Sequence, residues 1–249
     1  MDRNTYTHSY ILTAGETNAE GRMPLTLLME RVIEVATEHA NALGIGYATL
    51  IKRNVGWVLS RVSIEMQRYP VINDAYTLTT WIECYNRRFS ERNIRVSDGE
   101  GNVIGYVRTV WVAMDFATRS VADLAELGED AFPVSDTPCP IAKAARIAVI
   151  PEDAVEAAED YVFRYCDVDF NRHVNTVRYL ELILNHWPLD WYDCHTLRRF
   201  DVHFHHECHY GEAVSLRVTH IDGNGTQQCE IVRPGGIRAV AARMLWSEE

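Results

Sequence analysis

Asp169-Phe170-Asn171-Arg172-His173-Val174-Asn175 runs directly into the apolar-periodic positions Val177, Leu180, Ile183 and Leu184. Apolar residues at steps of three and four predict a helix over Val174–Trp187. Pro188 should terminate it, because proline lacks an N–H and clashes with the preceding turn. Glu207-Cys208 lies 34 positions after His173, across that helix and a strand-like run. An acid, an amide, an imidazole and a second acid can therefore meet where a helix packs on a sheet. Those groups are what activation of water against a carbonyl requires.

The same order of elements occurs earlier without the Asn-x-His pair. A first strand is expected within 5–16, and Met23 to about Ala42 reads as a helix through Leu25, Leu28, Met29, Val32, Val35 and Ala36. Leu43-Gly44-Ile45-Gly46 should end it. Strands are expected at Trp57–Arg68, Ala75–Cys84, Phe89–Ser97 and Asn102–Asp115, with Asp98-Gly99-Glu100-Gly101 as a hairpin turn. Residues 122–160 break the pattern, with prolines at 133, 138, 140 and 151, and read as a connector with short helical turns. In the second half a short strand at Tyr161–Tyr165 precedes the helix. Strands Leu197–Cys208, Ala213–Ile221, Gln227–Val232 and Ile237–Trp246 follow, with Asp222-Gly223-Asn224-Gly225 as a second hairpin turn.

The halves align residue by residue at two places. Gly21-Arg22-Met23-Pro24 precedes helix one as Arg172-His173-Val174-Asn175 precedes helix two. Arg68-Tyr69-Pro70-Val71 precedes a strand as His206-Glu207-Cys208-His209 does, so Arg68 or Tyr69 falls near the place of Glu207. The expected organisation is an N-terminal half at 1–121, a linker at 122–160 and a C-terminal half at 161–249 that carries the chemistry. One helix followed by several antiparallel strands defines an α+β class, a sheet curled around a mostly buried helix. Two such units would bury edges that each alone leaves open.

The 249 residues suffice for one large domain or two smaller ones, and 47 % apolar residues can fill a core. A formal charge of −11 argues against general binding to nucleic acid or an anionic membrane, since both reward lysine and arginine. Cys84, Cys139, Cys166, Cys194, Cys208 and Cys229 are scattered without a Cys-x-x-Cys pair and read as reduced cysteines of a cytoplasmic protein. Met1-Asp2-Arg3-Asn4 does not read as a signal peptide, and no apolar stretch approaches transmembrane length.

Taken singly, Asp169 and Asn171 read equally well as a turn and helix cap, and His173 as a structural histidine. Their combination with the first half is more specific. Asp167-Val168-Asp169-Phe170-Asn171-Arg172-His173-Val174-Asn175-Thr176-Val177-Arg178-Tyr179 and the distal Glu207-Cys208 are joined by Trp57-Val58-Leu59-Ser60-Arg61, Arg68-Tyr69-Pro70, and Trp111-Val112-Ala113-Met114-Asp115 with Thr118-Arg119. On these segments the chain resembles the acyl-acyl carrier protein thioesterases, the bacterial relatives of the plant fatty-acyl chain-terminating enzymes. The resemblance implies a tandem double hot-dog fold. It also implies hydrolysis of the thioester between a fatty acyl chain and the phosphopantetheine arm of acyl carrier protein. It carries Asp169, Asn171, His173 and Glu207 over as the catalytic set, with no cofactor and no metal. Only Asn86-Arg87-Arg88-Phe89 remains of the plant-type signals around residues 85–97.

Physical roles can be assigned to that set. Glu207 suits a general base for water, with direct nucleophilic attack as the other option. Asn171 can position the water, and His173 can donate to the carbonyl oxygen or exchange a proton with Glu207. Asp169 can hold the loop by accepting backbone N–H groups. No Gly-x-Ser-x-Gly elbow is present. His203, His205, His206 and His209 are dense, but on a strand His206 would point away from the other three, so a metal site is not expected. Cys208 should face opposite Glu207 if the strand is regular.

Leu25, Leu28, Met29, Trp57, Val58 and Leu59 are candidates to line an acyl tunnel, each also readable as plain core. Arg87, Arg88, Arg92, Arg178, Arg198 and Arg199 could greet an acidic carrier. The partners implied are acyl carrier protein and a fatty acyl chain, with no nucleic acid and no membrane insertion. A homodimer is one open state of assembly. Two other functions compete: an acyl-CoA thioesterase, which shares the scissile bond, and a non-catalytic acyl-binding hot-dog protein.

Overall fold

The computed structural model describes residues 3–127 and 132–248. Residues 128–131, inside the expected connector, lie outside the described residues, as do Met1-Asp2 and Glu249 at the ends of the expected halves. The chain divides into two compact units, Met1–Lys143 and Ala144–Glu249.

In the first unit, β1 (Thr5–Ile11) leads to α1 (Leu25–Ala42) and the short α2 (Tyr47–Leu50). Strands β2 (Val55–Met66), β3 (Ala75–Tyr85), β4 (Phe89–Asp98), β5 (Val103–Asp115) and β6 (Ser120–Val121) follow. The antiparallel order is β1-β3-β4-β5-β2, with β6 on β5. Helix α1 lies against β1 and β3 and buries Leu25, Leu28, Met29, Val32, Val35 and Ala36, the residues of its apolar stripe. Full burial of such a side chain contributes roughly 1.5–3 kcal/mol, which outweighs the intrinsic helix preference of the segment. Gly44, at φ 78°, closes the helix while the Ile45 N–H reaches the Ala40 carbonyl at 2.9 Å. The Asp98 carboxylate holds the β4–β5 turn by accepting the N–H groups of Glu100 and Asn102.

The second unit repeats the plan with β7 (Val155–Val162), α3 (Thr176–Leu184), α4 (Leu189–Cys194), β8 (His195–Phe204), β9 (Ala213–Thr219), β10 (Thr226–Arg233) and β11 (Ile237–Glu248). Its antiparallel order, β8-β11-β10-β9-β7, is that of the first unit read strand for strand. Helix α3 buries Val177, Tyr179, Leu180 and Ile183, and the Tyr179 ring meets Phe163 and Phe204. The class is α+β, antiparallel sheet with few helices.

Four elements depart from the sequence expectation. The first strand ends at Ile11, and Ala14–Glu16 is a helical turn closed by Glu16 accepting from the Thr13 N–H and hydroxyl. The strand expected at Tyr161–Tyr165 is β7, which begins at Val155 inside the expected connector. Its alanines and acids have poor strand propensity, but an edge position paired only with β9 tolerates them. Helix α3 is shorter than Val174–Trp187, because Asn175 caps it by accepting the Val177 N–H, and Pro188 opens α4. Finally, β8 stops at Phe204, so Glu207 and Cys208 lie beyond the strand.

Candidate active site

Two loops build the site in the second unit. The first, Val168–Val174, is a tight hairpin in which the Asp169 and His173 backbones bond at 2.8 Å, with Arg172 at φ 65° at its tip. The Asp169 carboxylate sits inside it and accepts the N–H groups of Asn171 (2.8 Å) and His173 (3.2 Å). Its second oxygen lies 3.4 Å from the Asn171 amide nitrogen. The other loop, 205–212, is stitched to the first. The Val174 N–H donates to the Cys208 carbonyl at 2.8 Å, and His173 and His209 form a bridge, with ring centroids 5.1 Å apart. The Glu212 carboxylate accepts the His209 N–H and pairs with Arg233.

This stitching brings His173 Nδ1 to 3.4 Å from Glu207 Oε1, both side chains partly open to solvent. At 3.4 Å the two atoms are farther apart than a normal N–H···O hydrogen bond. Asp169, Asn171 and His173 thus share one loop, and Glu207 joins through the imidazole. Asn171 is exposed, in contact with Asp169. Cys208 is fully buried, and burial pushes its thiol above the ordinary range. Its backbone N–H donates to the Tyr179 hydroxyl at 2.9 Å. Because Asn175 takes the Val177 N–H, that group of the helix N-terminus is already committed.

Sequence reasoning missed Tyr179, Glu212 and the capping Asn175 as supports of the site. Asn175, just before an apolar run, was the one locally legible signal. Of the four clustered histidines, His203 lies buried in β8 with its ring 6.1 Å from that of His205, and His205, His206 and His209 follow the end of the strand. Among the described residues, no group of three or more His, Cys, Asp or Glu could hold a metal ion.

The arginines expected on a basic surface are mostly engaged. Arg92 is buried, bonded to His39 Nδ1 (2.7 Å) and the Thr80 hydroxyl (3.1 Å), and desolvation holds its guanidinium down to about 10. It cannot greet a partner, because a β4 side chain on that face points into the core. Arg87 pairs with Asp123, Arg178 with Glu181 and Arg199 with Asp201, while Arg198 bonds Ser247. Of the tunnel candidates, Leu25, Leu28, Met29 and Leu59 are buried, and the Trp57 indole donates to the Ile45 carbonyl. No described helix is long and apolar enough to cross a membrane.

The chain is thus an α+β protein of two like units, one carrying an acid–amide–imidazole–acid site. Residues 3–127 match the acyl-ACP thioesterase N-terminal domain and residues 151–248 the C-terminal domain of the same family. The chain belongs to the acyl-ACP thioesterase family. A palmitoyl-acyl carrier protein thioesterase of Gossypium hirsutum, chloroplastic, is 25 % identical over 235 residues, 90 % of this chain. The chain spans less than two thirds of the first curated relatives, 57 % of the Gossypium protein. Among solved structures, an acyl-ACP thioesterase from Bacteroides thetaiotaomicron superposes with a TM-score of 0.88 at 29 % identity, covering 98 % of each chain. The 12:0-ACP thioesterase from Umbellularia californica shares the fold, with a TM-score of 0.84 at 20 % identity, covering 98 % of this chain and 94 % of that one.

Proposed function

We propose that this protein hydrolyses the thioester of fatty acyl-acyl carrier protein, releasing free fatty acid and holo-carrier. The observation that carries the reading is the His173–Glu207 contact within a chain that matches one thioesterase family across both units. The fold is read as a tandem double hot-dog, each sheet wrapped about its helix. The N-terminal half, 1–121, serves as acyl pocket and scaffold. After the linker at 122–160, the C-terminal half, 161–249, carries the chemistry. Six free cysteines support a reducing, cytoplasmic setting.

In this mechanism Glu207 takes a proton from water as the oxygen attacks the thioester carbon. His173 donates to the developing oxyanion, Asn171 orients the water, and Asp169 holds the loop that presents both. When the C–S bond breaks, the proton held by Glu207 passes by way of His173 to the pantetheine thiolate. The test is a turnover panel of acyl-carrier and acyl-CoA thioesters of several chain lengths, across a salt series. Higher kcat/KM on the carrier substrates, an advantage that salt diminishes, is expected. Turnover confined to CoA esters would replace the carrier with coenzyme A. Acyl binding without hydrolysis of either would overturn the enzymatic reading.

A further inference from the structure

The two site-bearing loops have counterparts in the first unit that share most of their hydrogen bonds. Asn18 and Arg22 exchange the backbone bond of Asp169 and His173, 2.9 Å against 2.8 Å. The Asn18 side chain accepts the Arg22 N–H as Asp169 accepts that of His173. Gly21, φ 69°, stands for Arg172, φ 65°. Met23 N–H donates to the Pro70 carbonyl at 2.8 Å, as Val174 does to Cys208. Asp74 accepts the Val71 N–H as Glu212 accepts that of His209, both at 3.0 Å. The framework is therefore a property of the fold, present with or without the acid–imidazole pair.

The bond to Tyr179 is not among those shared. In the second unit the Cys208 N–H donates to the Tyr179 hydroxyl. In the first unit the matching residues are Pro70, which has no N–H, and Leu28, which has no hydroxyl. Donor and acceptor are missing together. The fold forms this pair of loops without the bond, and the bond occurs only where Glu207 precedes the donor.

We propose that Tyr179 is a positioning residue for Glu207. Its hydroxyl, buried on α3 and braced by Phe163 and Phe204, holds the peptide unit joining Glu207 to Cys208. The Cys208 carbonyl is held from the other side by Val174, so the backbone that carries the Glu207 side chain is fixed on both flanks of Cys208. The buried hydroxyl keeps its proton, since burial raises its pKa far above the ordinary value. This inference rests on the reading of Glu207 as the base.

The test is Tyr179→Phe, which keeps the ring and removes the hydroxyl, measured with an acyl-carrier substrate in wild-type and Glu207→Gln backgrounds. Misplacing a catalytic group costs on the order of 10- to 100-fold, so kcat should fall by about that factor with KM unchanged. In the Glu207→Gln background the same change should cost nothing further. A second variant, Tyr179→Leu with Cys208→Pro, recreates the first unit's pair and should fold yet turn over slowly. Full-rate turnover by folded Tyr179→Phe, or an equal loss in both backgrounds, overturns the inference. Normal turnover by Glu207→Gln alone would instead remove the mechanism on which it rests.

Discussion

Asp169 can be separated from the chemistry by a single amide. In the first unit Asn18 holds the equivalent loop with a neutral side chain, so the charge of Asp169 is not needed for the loop's geometry. In Asp169→Asn the amide oxygen can still accept the Asn171 and His173 N–H groups, now at 2.8 and 3.2 Å from a carboxylate. A hydrogen bond to a charged group contributes about 1.5–3 kcal/mol and a neutral one about 1, so the loop loses roughly 1–4 kcal/mol over two bonds. Asp169→Ala loses both bonds outright, about 3–6 kcal/mol by the same arithmetic. At about 1.4 kcal/mol per tenfold, Asp169→Asn should lower kcat by at most about 700-fold, and Asp169→Ala by up to about 20,000-fold. Steady-state kinetics on an acyl-carrier substrate should be paired with amide hydrogen exchange at Asn171, Arg172 and His173. Exchange should quicken slightly in the first variant and strongly in the second. If Asp169→Asn is as slow as Asp169→Ala while its loop amides stay protected, the carboxylate's charge belongs to the reaction and the positioning argument fails.

Glu207→Gln should lose roughly 10²–10⁴-fold in kcat with the fold intact; a correctly folded variant turning over normally would remove it as the base. Cys208→Ser should keep substantial activity, since the thiol is buried and held protonated; an acyl group trapped on Cys208 during turnover would reverse this. His173→Ala should lower kcat by about 2.7–4 kcal/mol of barrier with little change in acyl binding, and a pure KM effect would show ground-state positioning instead. Glu83→Gln should destabilise the first unit at neutral pH. Burial raises the Glu83 pKa, but the Asn93 amide, Arg108 and Lys143 outweigh it and hold the carboxyl below 4.5. A folded-state pKa below the unfolded value contributes stability above pH 4.5 that is lost as pH falls through the folded value, so urea titrations of variant and wild type should converge in acid.

What the sequence determined by itself is local and periodic. The stripe of α1, the alternation of β3 and the Asp-Gly turns are set by near neighbours, so they read off the chain within a residue or two. The duplication was legible for the same reason: Gly21-Arg22-Met23-Pro24 and Arg172-His173-Val174-Asn175 occupy matched places before their helices. The acid, amide and imidazole of the first loop were readable because five consecutive residues, Asp169 to His173, carry them. The remaining features depend on partners far along the chain. The alternation of Phe200, Val202 and Phe204 in β8 does not reveal that pairing with β11 stops at Phe204, leaving Glu207 in a loop pinned by Val174, Tyr179 and Glu212. Val155–Val162 becomes a strand through its pairing with β9, against its own composition. Arg92 is indistinguishable from a surface arginine until His39, 53 residues before it, is found against its guanidinium. Periodicity encodes which face of an element is buried; the long-range hydrogen bonds that aim one side chain at another have no periodicity and are set only when the sheet closes on its helix.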